Sequence, residues 1–127
     1  MGGDQEVPRN VRHIIIDRSV NIIPEKAFYE RRELVSVEMH EDVEIIEFAA
    51  FYSCSSLRKI KLIGVREVEY EAIYDCDALT DVEFGVKLET IQAMAFDYCI
   101  SLQKIKMPSV RFIESGAFSD CDELTEA

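Results

Sequence analysis

The sequence has no tryptophan, three prolines, five glycines and two histidines, and it has no uninterrupted apolar stretch of about 18 residues. Without such a stretch there is no candidate transmembrane helix, and the scattered glycines form no phosphate-binding loop. Basic residues are also few, because Lys and Arg number 14 against 25 Asp and Glu, for a net charge of −11. We therefore expect no binding to nucleic acids or to anionic membranes, since both repel an acidic protein.

Motifs for metal binding, redox chemistry and targeting are absent as well. The four cysteines are never spaced as C-x-x-C, the pattern of zinc and thioredoxin-like sites, and His13 and His40 fall at unrelated positions of the repeat described below. The first ten residues lack the basic and apolar segments of a secretory signal, and Glu6 stands where a myristoylation motif needs Ser or Thr. These absences favour an intracellular location but leave the compartment open, and we expect a protein that holds no metal, uses no cofactor and is not an enzyme.

One sequence unit recurs through most of the chain. An alanine followed by a large apolar residue returns at steps of 23 and 22 residues, as Ala27-Phe28, Ala50-Phe51, Ala72-Ile73, Ala95-Phe96 and Ala117-Phe118. The aligned unit reads L-x-x-I-x-I, a bend of two or three residues, V-x-x-I, three residues, and A-F-x-x-C-x-x-L. At an offset of 45 residues, segments 34–82 and 79–127 are identical at 22 of 49 positions, which indicates duplication of a two-coil unit.

The packing of apolar side chains predicts that this unit is one coil of a solenoid. The apolar-polar-apolar alternation of I-x-I predicts a half-buried strand, whereas the spacing around Ala-Phe, with Pro24 ahead of the first copy, predicts a short helical turn. A unit of this size cannot bury its own apolar face, so successive units stack and equivalent side chains form columns. One column is predicted to be a buried, mainly aromatic spine of Phe28, Phe51, Ile73, Phe96 and Phe118.

The repeated unit resembles the BspA-like class of leucine-rich repeats over residues 11–127. It departs from that class at Arg31, where Cys is usual, at Ile73, where Phe is usual, and in lacking the glycine that usually follows V-x-x-I. The resemblance implies a right-handed, curved leucine-rich-repeat solenoid that binds other macromolecules, often in surface or adhesion proteins of bacteria and protists, and it implies no catalysis. We predict a single α/β array of about five repeats of 22–23 residues, mainly parallel β with short helical turns.

The two ends of this array have different predicted roles. Residues 1–10 are expected to form a polar N-terminal cap that includes Pro8, a residue that cannot donate to a strand ladder. The chain begins a further strand at Leu124, with no capping segment after it. We expect that the array of residues 11–127 either continues past residue 127 or associates weakly through its C-terminal coil.

The outward positions of the predicted strands carry charges whose sign alternates from coil to coil. After His13 and Ile15 in the first strand and Ser36 and Glu38 in the second, they read Lys59 and Lys61, Asp81 and Glu83, and Lys104 and Lys106. Because neighbouring parallel strands lie about 4.8 Å apart, these charges face each other. One interpretation is a cross-strand salt ladder, and the other is a partner-binding patch of mixed charge.

Two further columns have both a structural and a functional interpretation. Tyr29, Tyr52 and Tyr74 share one repeat position, which suits a binding surface as well as a stacked ladder. The cysteine column favours buried, reduced thiols that hydrogen-bond the turn, with disulfides as the alternative, because stacked coils lie within bridging distance.

Three functional hypotheses follow from these patterns. The first is a non-catalytic module that presents its repeat-built surface to an unidentified protein partner, through the Tyr29, Tyr52 and Tyr74 row or the charged strand positions. The second is a structural segment that stacks end to end. The third is a fragment of a cell-surface adhesin that binds protein or carbohydrate, against which the missing signal sequence counts.

Overall fold

The computed structural model describes residues 10–107, 112–121 and 124, and in this part of the chain ten short strands form two parallel sheets. The long-strand sheet consists of β1 (His13–Ile15), β3 (Ser36–Glu38), β5 (Lys59–Leu62), β7 (Asp81–Phe84) and β9 (Lys104–Lys106). The short-strand sheet consists of β2 (Ile22–Ile23), β4 (Ile45–Ile46), β6 (Glu67–Val68), β8 (Thr90–Ile91) and β10 (Phe112–Ile113). Each sheet runs in coil order, as stacking of equivalent units requires.

Strand register follows the repeat, so each residue pairs with its equivalent one coil away. Ile14 pairs with Val37, Val37 with Ile60, and Ile60 with Val82. The burial of β5 alternates between exposed lysines and buried apolar residues, which confirms the period-two prediction. The V-x-x-I segments, which the sequence identified only as an apolar motif, form the short-strand sheet. The core comprises residues from both sheets and from the turns between them.

The prediction of short helical turns was wrong, because residues 10–107, 112–121 and 124 contain no helix. In each turn the residue before the alanine and the residue before the Cys position have left-handed φ, for example 55° at Ala49 and 57° at Ser53. The backbone N–H groups of the turn then alternate between two kinds of acceptor. Some close β-turns within the coil, as the N–H of Tyr29 does by donating to the carbonyl of Lys26. The others donate to the next coil, as the N–H of Phe28 does to the carbonyl of Ala50. A helix would have used both kinds of N–H internally and left none to join the coils.

The predicted aromatic spine is confirmed. Phe28 stacks on Phe51 with ring centroids 5.2 Å apart, and Phe96 stacks on Phe118 at 5.1 Å. The first three of these rings are fully buried, while Phe118 is partly buried. Such a column places large apolar area between coils and makes each coil dependent on its neighbours.

Two glycines stand in the bend between the two sheets, where the backbones of neighbouring coils approach closely. A Cβ at Gly64 would lie 1.8 Å from the backbone oxygen of Glu41 in the preceding coil, and one at Gly85 would lie 2.1 Å from that of Ile63. Glycine is therefore required by the close approach of two backbones at these sites. The bend has three residues before Val43 and two before Val65, and this alternation accounts for the 45-residue period.

The predictions for the two ends lie mostly outside the described residues. Residues 1–9 of the expected cap and the strand residues following Leu124 belong to the part of the chain that is not described. In the described ranges, no helix is long and apolar enough to cross a membrane.

Candidate functional site

Six of the charged residues predicted at outward strand positions lie together on β5, β7 and β9, on a surface here named the strand face: Lys59, Lys61, Asp81, Glu83, Lys104 and Lys106. Backbone pairing of β5 with β7 places Lys59 opposite Asp81 and Lys61 opposite Glu83. Pairing of β7 with β9 repeats the arrangement with the lysines of β9. Side chains of opposite sign therefore alternate across three neighbouring strands, as the sequence predicted.

These charges do not combine into salt bridges. In the described ranges the ion pairs within 4.0 Å are Arg32–Glu30, Arg66–Glu44 and Arg66–Glu89, and none of them includes a strand-face residue. Opposed strands position the charges, but the side chains remain available to solvent. The strand face therefore offers ordered backbone positions with unpaired charged groups, which is what a partner of complementary charge requires.

A groove follows the strand face. All six charged residues, together with Ile60 and Val82, line a cavity of about 320 Å³. A second cavity of about 300 Å³ shares Lys59 and Lys61 with the first and continues over Ser36 and Glu38 of β3. The two together span four of the five strands in the long-strand sheet.

The N-terminal margin of this groove has a different chemistry. Ile15 points outward and is 76% exposed, and Glu38 follows it in register on β3. His13 and Ser36 form a hydrogen bond of 2.7 Å between the ring Nδ1 and the hydroxyl. The second histidine, His40, bonds the backbone carbonyl of Asp17 instead, so each imidazole has its own local partner.

Tyr29, Tyr52 and Tyr74 form a stacked row on the turn segment, away from both sheets. Successive ring centroids are 4.9 Å apart, with interplanar angles of 17° and 9°. Burial raises the pKa of Tyr52 and Tyr74, and nearby carboxylates, Glu71 among them, add to the shift. All three rings are half-buried, so the row packs as a ladder and still presents ring edges and hydroxyls at the surface.

A second aromatic pair, which the sequence analysis missed, lies beside this row. Phe48 and Tyr70 stack in parallel with centroids 6.1 Å apart. The Nζ of Lys26 lies between the two sets of rings, 5.4 Å from the centroid of Tyr29 and 5.9 Å from that of Phe48. Alignment of the repeats could have revealed this pair. Phe48 and Tyr70 each stand two residues before the alanine that recurs in every coil.

The four cysteines are free thiols, three of them buried and Cys121 half-buried. Each donates a hydrogen bond of 3.1 Å to a carbonyl of the preceding coil, as Cys54 does to Phe28 and Cys76 to Phe51. Burial raises the pKa of both Cys54 and Cys121 to about 12, so these groups are thiols rather than nucleophilic thiolates. The interpretation as turn-bonding structural thiols agrees with this geometry.

A column of carboxylates and amides explains why the glycine after V-x-x-I is missing. The Oε1 of Glu69 accepts the backbone N–H of Phe48 at 3.1 Å, and the Oε1 of Gln92 accepts that of Tyr70 at 3.0 Å. Glu47 and Glu114 make the equivalent bond to the preceding coil. These side chains satisfy amides that the solenoid would otherwise leave unpaired, so their role is structural.

One buried carboxylate lacks a full set of partners. Asp97 follows the tyrosine row in the fourth coil, is only 5% exposed, and has an Oδ1 without a hydrogen-bond partner. Burial, followed by the nearby charge of Asp120, raises the pKa of Asp97. In the described part of the chain no three His, Cys, Asp or Glu residues form a group that could hold a metal ion.

The architecture defines a class of protein, a β-solenoid built of leucine-rich repeats. The family model of the BspA type leucine rich repeat region matches residues 8–125 in six copies. The chain belongs to the BspA-type leucine-rich repeat family.

Two solved structures are similar to this solenoid. A leucine-rich repeat protein from Bacteroides ovatus ATCC 8483 aligns with a TM-score of 0.78 and 30% identity over 92% of this chain. The T. pallidum leucine rich repeat protein aligns with a TM-score of 0.75 and 24% identity over 94%, a likeness in fold. This chain spans 30% of the first protein and 53% of the second. A comparison with curated proteins gives no match.

Proposed function

We propose that this protein is a non-catalytic protein-interaction module and that its strand face binds a protein partner. The observation that carries the proposal is the set of six charges held in register across β5, β7 and β9, unpaired among the described residues and lining one groove. Leucine-rich repeat proteins commonly act in protein interaction, which agrees with this reading of the surface.

Electrostatics defines the kind of partner. Each strand presents two charges of one sign, and the sign changes at each strand spacing of about 4.8 Å. A partner with a matching alternation gains several contacts, whereas a uniformly charged partner meets repulsion at every second strand. The face therefore favours a folded protein surface or an extended segment of mixed charge over a polyanion or polycation.

Affinity capture from a native lysate, followed by mass spectrometry, tests the proposal. Lys61→Glu reverses one strand-face charge, and Arg32→Glu makes the same change at an exposed turn residue. We expect the partner captured by the wild type to fall about tenfold with Lys61→Glu, because rim and interface charges control encounter and specificity, and to persist with Arg32→Glu. Equal capture by both variants would contradict binding through the strand face.

Self-association is distinguished by a second measurement on the same variants. Light scattering over a wide concentration range reports assembly without any added partner. If mass rises with concentration and Lys61→Glu does not change that rise, the chain assembles through another surface, such as the C-terminal coil that includes the partly buried Phe118 and Leu124.

A further inference from the structure

On the strand face, the exposure of the side chains follows their charge. The lysines of β5 and β9 are exposed, whereas Asp81 and Glu83 on β7 between them are half-buried. Lysine also has the longer side chain, so β5 and β9 each carry a ridge of two lysines. The cavity of about 320 Å³ lies between these ridges and forms a recess over β7.

A second recess lies on the other side of the β5 ridge. Its cavity of about 300 Å³ is lined by Ser36 and Glu38 of β3 and by the two lysines of β5. Ser36 is short and half-buried, and Glu38 gives this recess a negative charge. Recess and ridge therefore alternate over β3, β5, β7 and β9, with carboxylate in each recess and lysines on each ridge.

This order of ridges and recesses is complementary to its own reverse. The two ridges lie two coils apart, and so do the two recesses, because all four belong to successive strands of one sheet. A second copy can lie face to face with its strands parallel and its coils in reverse order. That arrangement opposes β5 to β7 and β3 to β9, each pair twice, so that every ridge enters a recess of opposite charge.

The operation that relates the two copies is a twofold axis parallel to the strands, midway between β5 and β7. Moving this axis onto β7 would set the carboxylates of β7 against their own copies and the lysines of β5 against those of β9. Moving it onto β5 would set the lysines of β5 against their own copies. Each shift is half a strand spacing, about 2.4 Å, so the charge pattern selects one alignment and rejects its neighbours.

A second copy also matches the spacing of the charges, since it repeats the coil spacing of this chain. An extended segment laid across the strands presents side chains on one face about every 6.6 Å. The charges of the strand face change sign about every 4.8 Å, so such a segment falls out of step within two strands. Among mixed-charge partners, the face therefore favours another stacked sheet.

We propose that the strand face, with β3 beside it, binds a second copy of this chain about that twofold axis. Lys61 then faces the partner's Glu83, and Glu38 faces the partner's Lys106. The charges of the strand face form no ion pairs within one copy in the described ranges, so pairing across the axis breaks no existing bridge. This inference rests on the proposed function, because it takes the strand face as the binding surface and names the partner.

Reversing one charge on each of two separate chains tests the pairing. Lys61→Glu alone opposes two negative charges, and Glu83→Lys alone opposes two positive charges, in each case at two places because the axis repeats every contact. A mixture of the two variants restores opposite charges at both places. Arg32→Glu and Glu33→Lys make the same changes of net charge at exposed turn residues and are the matched controls.

Sedimentation velocity over a wide concentration range measures the dimer. We expect the wild type and both controls to dimerise reversibly at low salt and less in high salt, since the contacts are ionic. Lys61→Glu and Glu83→Lys should each weaken dimerisation about tenfold or more, and their mixture should recover the affinity of the wild type. Recovery on mixing also shows that both variants are folded.

A wild type that stays monomeric at low salt would overturn this inference, and so would a dimer that neither variant weakens or that mixing does not restore. Capture from lysate separates this inference from the proposed function. If the chain is monomeric and Lys61→Glu still loses a captured protein, the strand face binds a different protein and the second copy is excluded. If capture also fails to depend on Lys61, the strand face is excluded as a binding surface.

Discussion

Lys61 and Glu83 lie directly opposite each other on β5 and β7, yet their charged groups form no ion pair. Within the strands, the two coils are joined by backbone pairing and by the burial of Ile60 and Val82. Backbone bonds and apolar area do not depend on the surface charges. The sign alternation is therefore not needed to hold the coils together, and this leaves it free to serve recognition.

A double-mutant cycle on Lys61 and Glu83 tests whether their charges contribute to the stability of the fold. We expect Lys61→Gln and Glu83→Gln each to change the free energy of unfolding by less than about 0.5 kcal/mol, with a coupling energy of the same small size. Urea unfolding at low and high salt provides the measurement. A coupling above about 1 kcal/mol that disappears in salt would identify a structural salt ladder instead.

Gly64→Ala is expected to destabilise the solenoid by about 3 kcal/mol or more, because its Cβ would overlap the backbone oxygen of Glu41 in the preceding coil. Backbone at that point cannot move without breaking the stacking of both coils. Val86→Ala, at the exposed bend residue of the following coil, should change stability by less than about 0.5 kcal/mol. Equal melting temperatures for the two variants would show that the bend is looser than the structure has it.

Asp97 makes stability depend on pH in a defined direction. Burial and Asp120 raise its pKa above the ordinary 3.8, so the folded protein binds this proton more tightly than the unfolded chain. The resulting stabilisation is present below the ordinary pKa and is lost as the pH rises through the raised value. Asp97→Asn should therefore increase stability at pH 7 by about 1 kcal/mol, since it removes a buried charge with an unpartnered oxygen.

The pH profile of the same variant gives the control. Below the ordinary pKa of an aspartate both proteins carry a neutral group at this position, so the advantage of Asp97→Asn should vanish. A variant that is less stable than the wild type at pH 7 would mean that the ionised carboxylate is required by a partner group.

The cysteines should react slowly with thiol reagents in the folded protein. With the pKa of Cys54 and Cys121 at about 12, only about one thiol in ten thousand is ionised near pH 8. Half-buried Cys121 is expected to be labelled first, and buried Cys54, Cys76 and Cys99 only on unfolding. Peptide mapping after timed labelling measures the order, and fast labelling of Cys76 would show that its coil opens locally.

Much of this fold could be predicted because columns of equivalent residues reflect packing directly. The register of Lys59 with Asp81 and the burial of Phe51 both follow from alignment of the repeats. The turn could not be predicted, since the helical spacing around Ala50-Phe51 does not reveal that Ala49 and Ser53 adopt left-handed φ. Alanine and serine rarely do so, and the backbone bonds between coils help to compensate for the cost.

The candidate site was predictable to a similar extent. The positions of the strand-face charges followed from strand alternation, but the absence of ion pairs among them depends on side-chain conformations that no sequence period encodes. The position of Lys26 over the rings of Tyr29 and Phe48 was hidden for a related reason. Lys26 and Tyr29 belong to one coil and Phe48 to the next, so their contact arises only when the coils stack.

Site-specific photocrosslinking shows whether the strand face contacts the partner. A photoreactive residue is placed at Ser36, in the groove between β3 and β5, or at Ile22, which is exposed on the short-strand sheet. Each protein is irradiated in native lysate, and the adducts are identified by mass spectrometry. If the strand face contacts the partner, we expect a discrete protein adduct from position 36 and none from position 22. The same adduct from position 22, with none from position 36, would contradict binding through the strand face.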